Sequence, residues 1–430
     1  MRDTERPVGI DLFAGAGGMS LGFEQAGFDV AAAVDVDPIH CAVHEYNFPR
    51  TVTICADVAE LEANDILRRA NLSEGGIDVV FGGAPCQGFS LIGKRALDDP
   101  RNALVAHFVR LVLALRPRYC VFENVKGLTI GKHATILDET IEALRSGGYQ
   151  VLLPYRVLNA ADYGVPQNRQ RLFLIAARSD VPIPSYPEPT GEPVGVGDAL
   201  DDLPDADGFQ ELIASDSVRT SWDTLAPYAR KLRGLDPDPH DFSYERTFDR
   251  NLLTSSLRTE HTPSSKKRFA ETMPGDTEPI SRFLKLSPEG LCNTLRAGTD
   301  SARGAFTSPR PIHPYHPRVV TVREAARLHS YPDWFRFHAT KWHGFRQVGN
   351  SVPPLLARAV ASRIVDALGL EPEKPSPILA PGDEKLLSFD MSAAAAYFGV
   401  SRNVIPRRKR TTGDKRRAHE WKNEKTVTPR

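Results

Sequence analysis

Short apolar runs alternate with longer helical patterns over roughly the first 180 residues, and this rhythm constrains the fold of the chain most strongly. The runs VGIDLF, DVAAAVDVD, IDVVFGG and RYCVFENV each have the length and composition of a buried strand. Between the last two runs, NALVAHFVRLVLALRP places Leu104, Phe108, Leu111 and Leu115 on one face of a predicted helix. The alternation predicts βαβ units and therefore an α/β fold with a mostly parallel sheet.

Two proline-rich segments, VPIPSYPEPTGEPVG and EPEKPSP, divide the remainder of the chain and are typical of linkers. From the first segment to about residue 310 the hydrophobic periodicity is weak, and polar residues, prolines and scattered basic residues dominate. Regular patterns return at VVTVREAARLHSYPDW and in PPLLARAVASRIVDALGL, a predicted amphipathic helix. The second segment precedes a tail with eleven Lys and Arg against three acidic residues from position 401 onward.

The composition is that of an ordinary soluble protein, since 41% of the 430 residues are apolar, 25% are charged and the formal net charge is zero. Five cysteines without a CxxC pair indicate neither a disulfide framework nor a zinc site, so we expect no metal and a reducing, cytoplasmic compartment. The N-terminus lacks an apolar targeting segment, and no apolar run approaches the ~20 residues of a membrane span. We therefore expect no membrane partner.

The stretch DLFAGAGGMS joins a predicted strand to a predicted helix through several glycines. Gly15, Gly17 and Gly18 let the backbone turn tightly and approach a ligand closely. Ser20 stands where the dinucleotide-binding pattern has its last glycine, and the loop offers no lysine for phosphates. Asp35 ends the next strand, where a carboxylate suits two ribose hydroxyls. A nucleoside cofactor without a pyrophosphate fits these residues, and S-adenosylmethionine is the foremost candidate; a purely structural turn is the alternative.

Reactive side chains follow the other predicted strands. In GGAPCQGFS, Pro85 restricts a loop that carries Cys86 at a strand end, which is where α/β sheets bind ligands. Glu123 follows the buried strand RYCVF, and Arg169 and Arg171 are two residues apart, which predicts that both point to the same face of a strand. Taken singly, an inert cysteine, a capping carboxylate and rim ion pairs would be structural alternatives.

Eight motifs in this order resemble the DNA (cytosine-5) methyltransferase family: DLFAGAGG, VDVDP, ADV, GGAPCQGFS, FENV, QNRQR, RVVTVREAARLHSYPD and GNSVPP. The resemblance covers residues 8 to about 178 and 312 to about 368. It implies a doubly wound, mostly parallel sheet of the S-adenosylmethionine-dependent methyltransferase fold, with a smaller irregular DNA-recognition domain inserted. The irregular stretch before TVREA stands where that insertion belongs.

On this basis four regions are predicted. They are a catalytic and cofactor-binding domain over 1–184, a small target-recognition domain that includes the TVREA motif over 185–340, a C-terminal helix returning to the catalytic domain over 341–370, and a flexible linker and basic tail over 371–430.

The resemblance also implies residue roles. It makes Cys86 the nucleophile, Glu123 the acid of the FENV motif, Arg169 and Arg171 the catalytic arginines of QNRQR, and Arg323 a brace for the small domain. The predicted cofactor residues are Phe13, Ala14, Gly15, Gly17, Gly18, Asp35, Val36, Asp57, Val58, Pro85, Asn350 and Ser351. The predicted DNA-binding residues are Gln87, Ser90, Arg258, His261, Lys266 and Arg296, although no code links them to particular bases.

The chemistry of cytosine agrees with these roles. C5 of cytosine is a poor nucleophile, and addition of a thiolate to C6 makes C5 able to attack a methylsulfonium. Cys86 would supply the thiolate, Glu123 would protonate or hydrogen-bond N3, and Arg171 would hold O2. The ring must leave the base stack to be reached, so the predicted activity is methylation of a flipped-out cytosine in duplex DNA. A monomer is expected, and a cognate restriction endonuclease acting separately is a possible partner.

Two other functions stay open from the sequence. The family's tRNA branch would keep the chemistry and change the substrate, although an insertion of this length favours DNA readout. A DNA-binding regulator is the second alternative, because SAAAAYFGVSRNVI loosely resembles a helix-turn-helix with Gly399 at the turn. Pro406 falls where the second helix should continue, so a disordered basic tail with nonspecific phosphate affinity is the favoured interpretation.

Overall fold

The computed structural model describes residues 6–85, 102–191, 193–298 and 310–404, and within these ranges the predicted α/β fold is confirmed. Its strands are β1 Val8–Leu12, β2 Asp29–Asp35, β3 Val52–Cys55, β4 Val79–Gly82, β5 Tyr119–Val125, β6 Tyr149–Val151, β7 Arg156–Asn159, β8 Gln167–Asn168, β9 Gln170–Arg178, β10 Val218–Arg219, β11 Glu245–Arg246, β12 Leu252–Leu253, β13 Cys292–Asn293 and β14 Ile378–Leu379.

Eight of these strands form one sheet in the order β3-β2-β1-β4-β5-β9-β6, with β7 paired to β9. Strands β1 to β5 pair in parallel, whereas β9 is antiparallel to β5, and β6 and β7 are antiparallel to β9. The chain winds outward from β1 in one direction through β2 and β3 and in the other through β4 and β5. Doubly wound sheets bind ligands where the strand order reverses, which here is the carboxyl end of β1 and β4.

Helices cover both faces of the sheet. They are α1 Gly18–Gln25, α2 Pro38–Asn47, α3 Ala63–Arg69, α4 Ala103–Leu115, α5 Ala134–Ser146, α6 Val196–Leu200, α7 Pro227–Leu232, α8 Pro263–Glu271, α9 Val322–Arg327, α10 Lys341–Asn350, α11 Pro354–Leu368 and α12 Met391–Phe398. Alternate strand residues bury on opposite faces, so Val80 joins α3, α4 and α5 in one core cluster while Val79 and Phe81 join α1 and α11 in the other.

Helix α11 brings the chain back to the sheet after residues 193–340. A β-carbon on Gly22 of α1 would collide with Ala357 of α11 and with the Pro354 carbonyl, so only glycine permits this close approach. The two helices therefore pack nearly backbone to backbone on the sheet face that carries Phe81 and Val121.

Between residues 193 and 340 the described chain has only short helices and two-residue strands, as the weak periodicity predicts. A cluster of buried aromatic residues, including Tyr331, Phe335 and Phe337, holds this region together. Arg323, predicted as a brace for the small domain, is 1% exposed and donates to the Thr254 hydroxyl at 2.7 Å and to the Phe335 carbonyl at 2.7 Å.

The chain after residue 370 differs from the predicted linker and flexible tail. Residues 378–398, here called the C-terminal strap, contain β14, a short 3-10 helix and α12, and they pack against α2. Leu386 and Leu387 are buried in a cluster with Val43 and Tyr46. Two adjacent leucines show neither strand nor helical periodicity, so only tertiary packing reveals this contact. Residues 405–430, which contain Pro406 and most of the basic residues of the tail, lie outside the described residues.

No helix within the described ranges is both long and apolar enough to cross a bilayer.

Candidate active site

The glycine loop between β1 and α1 adopts a backbone that few sequences tolerate. Gly15 and Gly17 have φ values of 56° and 104°, and a β-carbon on Gly17 would collide with the Phe48 ring. Phe13 also has a positive φ of 66°, which is rare for an aromatic residue and is commonest at functional sites. The open space around Gly15, where a β-carbon would meet nothing within 4 Å, leaves room for a ligand beside the loop.

Asp35 lies directly beside this loop at the end of β2. Its carboxylate accepts the backbone N–H groups of Gly15 and Asp37, both at 2.8 Å, and lies 3.6 Å from the His40 ring. Burial alone would raise the pKa of Asp35, but His40 and these two backbone donors outweigh burial and hold its pKa below the ordinary value. The carboxylate is therefore charged, which suits ribose hydroxyls and disfavours a phosphate group.

Two further segments complete this corner of the sheet. The Asp35 carbonyl accepts the N–H of Ala56 at 3.0 Å, which places Asp57 and the buried Val58 beside the end of β2, next to Val36. From the other side, a β-carbon on Gly18 would collide with the Val352 carbonyl and the Ser351 side chain. The exposed Asn350 at the end of α10 and Ser351 thus lie next to the glycine loop that contains Ala14. The contacts of this corner thus join the glycine loop, the end of β2, the segment after β3 and Ser351.

Glu123 and Arg171 form a charged pair at the end of β5. Arg171 Nε lies 3.0 Å from Glu123 Oε1, and each side chain is only 12% exposed. The antiparallel pairing of β5 with β9, which sets Val125 opposite Arg171, brings the two side chains together. Burial raises the pKa of Glu123, while Arg171 and then Arg169 oppose that rise. A carboxyl group with a raised pKa is suited to donate a proton or a hydrogen bond to a substrate near neutral pH.

The loop that follows β4 starts against this pair. A β-carbon on Gly83 would collide with Glu123 Oε2, so glycine at this position leaves space for the carboxylate. Asn124 donates from Nδ2 to the Ala84 carbonyl at 2.9 Å, which fastens the loop to the end of β5. Pro85 is the last described residue before a gap, and the predicted residues Cys86, Gln87 and Ser90 lie outside the described residues.

Arg169, two residues before Arg171, is more deeply buried and has other partners. It is fully buried and donates to the carbonyls of Leu295 at 2.8 Å, Gly349 at 2.8 Å and Ser351 at 2.7 Å. It lies between β8, which ends at Asn168, and β9, which begins at Gln170, and its charge opposes the rise in the pKa of Glu123. Its guanidinium therefore links residues 193–340, through Leu295, to the corner around Ser351.

The predicted DNA-binding residues differ in their exposure and partners. Arg258 donates to the Asp207 carbonyl at 2.9 Å, and Lys266 pairs with the Asp207 carboxylate at 2.8 Å. His261 Nε2 accepts the N–H of Val319 at 3.3 Å. Arg296, by contrast, is exposed, and its backbone packs against Gly349. Of these four residues, Arg296 has the most exposed side chain.

Sequence reasoning missed Gly83 and His40. Gly83 was visible only as part of a small-residue loop, because its role depends on a carboxylate 40 positions away along the chain. His40 lies five residues after Asp35, one turn into α2, and this spacing after a strand-end acid is the signal that could have found it. Among the described residues, no group of three or more His, Cys, Asp and Glu side chains is arranged to hold a metal ion.

The fold and these side chains are those of an α/β enzyme. On one side of the strand-order reversal lies a corner suited to a nucleoside cofactor, and on the other side lies the buried pair of Glu123 and Arg171. Comparisons narrow this class. The family model for C-5 cytosine-specific DNA methylase matches residues 8–366. Type II methyltransferase M.XorII of Xanthomonas oryzae pv. oryzae is 64% identical over 405 residues, which are 94% of this chain and 95% of that protein.

Type II methyltransferase M1.HphI of Haemophilus parahaemolyticus is 36% identical over 83% of this chain and 86% of its own length. A crystal structure described as a DNA modification methyltransferase encoded within a prophage of E. coli has a TM-score of 0.70 and 37% identity, covering 85% of this chain and all of that one. The chain therefore belongs to the C-5 cytosine-specific DNA methylase family and is a DNA (cytosine-5) methyltransferase.

Proposed function

We propose that this enzyme methylates C5 of a flipped-out cytosine within a specific duplex DNA sequence, with Cys86 as nucleophile, Glu123 as acid and Arg171 as the group that holds O2. The Glu123–Arg171 pair carries the proposal, because it couples a carboxyl group with a raised pKa to a guanidinium at 3.0 Å beside the loop that leads to Cys86. Such a pair can protonate one edge of a base while stabilising charge on its neighbouring oxygen.

The cofactor corner fits S-adenosylmethionine. The charged Asp35 carboxylate at the end of β2 would accept ribose hydroxyls, and the open side of Gly15 would admit the nucleoside close to the backbone. Phe13, Ala14, Gly17, Gly18, Val36, Asp57, Val58, Pro85, Asn350 and Ser351 would line the rest of the site. When bound, the cofactor supplies an electrophilic methyl group. The proposed reaction uses no metal ion.

In the proposed reaction the Cys86 thiolate forms a bond to C6 of the cytosine, and the electron pair of the C5–C6 double bond moves toward C5. Glu123 delivers a proton or a strong hydrogen bond to N3, and Arg171 stabilises the charge that develops on O2. After methyl transfer a base removes the proton from C5, the double bond re-forms, the thiolate leaves and N3 returns its proton to Glu123. The proton lost from C5 carries away the positive charge that the sulfonium loses with its methyl group.

We propose that Arg169, predicted as catalytic, acts as a positioning residue. Its three bonds to the carbonyls of Leu295, Gly349 and Ser351 hold its guanidinium in place, and its charge opposes the rise in the pKa of Glu123. It would hold the Glu123–Arg171 pair, the cofactor corner and residues 193–340 in fixed positions relative to one another.

We also propose that residues 185–340 read the DNA sequence, with exposed Arg296 contacting the duplex near the flipped base and with Gln87, Ser90, Arg258, His261 and Lys266 as further DNA-binding candidates. The partner would be duplex DNA, bound by a monomer in the cytoplasm. By likeness to the Type II relatives, a cognate restriction endonuclease would act separately. The final residues 405–430 would add nonspecific phosphate affinity.

Bisulfite sequencing of DNA from cells that express the protein tests this function and reports the methylated sequence at the same time. Protected cytosines should cluster at one short motif and disappear in a Cys86→Ser strain. Methyl incorporation into tRNA with none into DNA would contradict the proposal and assign the chain an RNA substrate.

Asp35→Ala is expected to weaken S-adenosylmethionine binding by roughly 1–3 kcal/mol, because the variant leaves ribose hydroxyls and the Gly15 N–H without their acceptor. Titration calorimetry measures the loss directly, without turnover. Asp65→Ala is the matched control, since Asp65 is a surface residue of α3 whose carboxylate pairs with Arg68. An unchanged affinity in a folded Asp35→Ala protein would remove Asp35 from the cofactor site.

A further inference from the structure

The C-terminal strap contacts chain segments that lead to each part of the proposed cofactor corner. That corner consists of the glycine loop, the end of β2 with the start of α2, and the end of α10 at Asn350. Ala16 of the loop belongs to the buried cluster that contains Leu386 and Leu387 of the strap. One segment near the chain terminus therefore adjoins three segments that are far apart in sequence.

On the α2 side, the strap covers a helix face that would otherwise meet solvent. Leu386 and Leu387 are buried against Val43 and Tyr46, and the Gly382 N–H donates to the Tyr46 carbonyl at 2.8 Å. A β-carbon on Gly382 would approach the Tyr46 Cα atom at 3.0 Å, so the strap lies directly on the α2 backbone.

At its far end, the strap contacts the C-terminal half of α2 again. The Tyr397 hydroxyl donates to Glu45 Oε1 at 2.5 Å, so α12 holds the helix from outside. Asp37 caps the first turn of α2 by accepting the Ile39 N–H at 3.0 Å, and it also pairs with Arg346 of α10 at 3.1 Å. The position of α2 therefore determines where Asp35, two residues before the cap, presents its carboxylate.

On the α10 side, the strap binds the residues that precede the helix. The Ala339 N–H donates to the Leu387 carbonyl at 2.8 Å, and His338 Nε2 donates to the Phe389 carbonyl at 2.9 Å. The His338 N–H donates in turn to Gln347 Oε1 at 3.0 Å, one turn before Asn350. Strap, α2 and α10 thus form a closed ring of contacts, with the Arg346–Asp37 pair as its third side.

We infer that the C-terminal strap is a positioning element for the cofactor site, which holds the glycine loop, α2 and α10 in the arrangement that binds S-adenosylmethionine. This inference rests on the proposed cofactor residues. A ligand binds more weakly to a protein that populates the competent arrangement only part of the time, in proportion to that fraction. Loosening the strap should therefore raise the dissociation constant for the cofactor and leave the chemical step unchanged once the cofactor is bound.

The test is Leu387→Ala, which removes packing from the cluster around Ala16 and keeps the backbone bond to Ala339. Calorimetry should show the dissociation constant for S-adenosylmethionine rising about fivefold or more, while kcat at saturating cofactor and DNA stays within about twofold. Leu387→Met, which restores the volume, should return the affinity to within about twofold of the wild type. A chain that ends at Val404 should bind the cofactor as the wild type does.

Leu144→Ala is the matched control, because Leu144 of α5 is equally buried but lies in the core cluster on another side of the sheet. It should lower the melting temperature comparably and leave cofactor affinity within about twofold. If Leu387→Ala lowers only the melting temperature, or if the chain ending at Val404 loses affinity, the inference is overturned. Asp35→Ala, measured in parallel, distinguishes failure of the proposed cofactor site from failure of the strap inference. Unchanged cofactor affinity in Asp35→Ala would reject the cofactor site itself.

Discussion

DNA that carries 5-fluorocytosine at the target position is expected to remain covalently attached to the wild-type enzyme, and a Cys86→Ser variant is expected to form no such adduct. The fluorine at C5 cannot leave as a cation, so the reaction stops after methyl transfer with Cys86 still bonded to C6. Serine adds poorly to the ring because its hydroxyl has a far higher pKa than a thiol. Turnover on ordinary DNA should fall by roughly 10⁴-fold or more in the variant.

Denaturing electrophoresis detects the adduct, which should require S-adenosylmethionine. Cys120→Ala is the matched control, because burial within β5 raises the pKa of the Cys120 thiol to about 12 and makes it a poor nucleophile. That control should still trap DNA. The Cys86→Ser protein should bind duplex DNA normally, since phosphate contacts do not involve the sulfur. An adduct that persists in Cys86→Ser would assign the nucleophile to another cysteine.

Glu123→Gln is expected to reduce kcat by about 10²-fold or more, the usual contribution of a positioned proton donor. The amide keeps the size of the side chain and can still donate a hydrogen bond, but it cannot transfer a proton. DNA affinity and cofactor affinity should change little, because the group acts mainly in the transition state. Glu142→Gln, on the exposed face of α5, should behave as the wild type.

The pH profile gives the same variant a second readout. Burial raises the pKa of Glu123, with Arg171 and Arg169 opposing, and the proposed mechanism uses the protonated form. The value of kcat should therefore be highest at pH values below this pKa and should decline as the pH rises through it. Glutamine does not titrate, so the declining limb should vanish in Glu123→Gln. A limb that survives in the variant would belong to a different group and would remove Glu123 from the role of acid.

Much of the sheet domain was predictable because buried parallel strands are short apolar runs with reactive residues at their ends. The same logic placed Asp35 at the end of β2, where the structure has it, whereas Glu123, expected after the strand RYCVF, lies within β5 two residues before its end. Local pattern could not show that β9 pairs antiparallel with β5, and this long-range pairing is what brings Arg171 to Glu123.

Two features failed to follow from sequence for physical reasons. The three carbonyl partners of Arg169 lie on segments far away along the chain, so no local pattern contains these bonds. The apolar residues of the strap stand in adjacent groups, such as Leu386 and Leu387, so no strand or helix periodicity distinguishes it from a linker. Its order depends on the surface of α2, which a local pattern does not contain.

The three carbonyl acceptors of Arg169 have an evolutionary consequence. A carbonyl is present in every residue, so the bond from Arg169 to Leu295 does not depend on which side chain stands at position 295. If residues 185–340 read the DNA sequence as proposed, their side chains can diverge and acquire new target sequences while this backbone joint is kept. The side chains that set specificity would then be separate from the atoms that keep the two parts aligned.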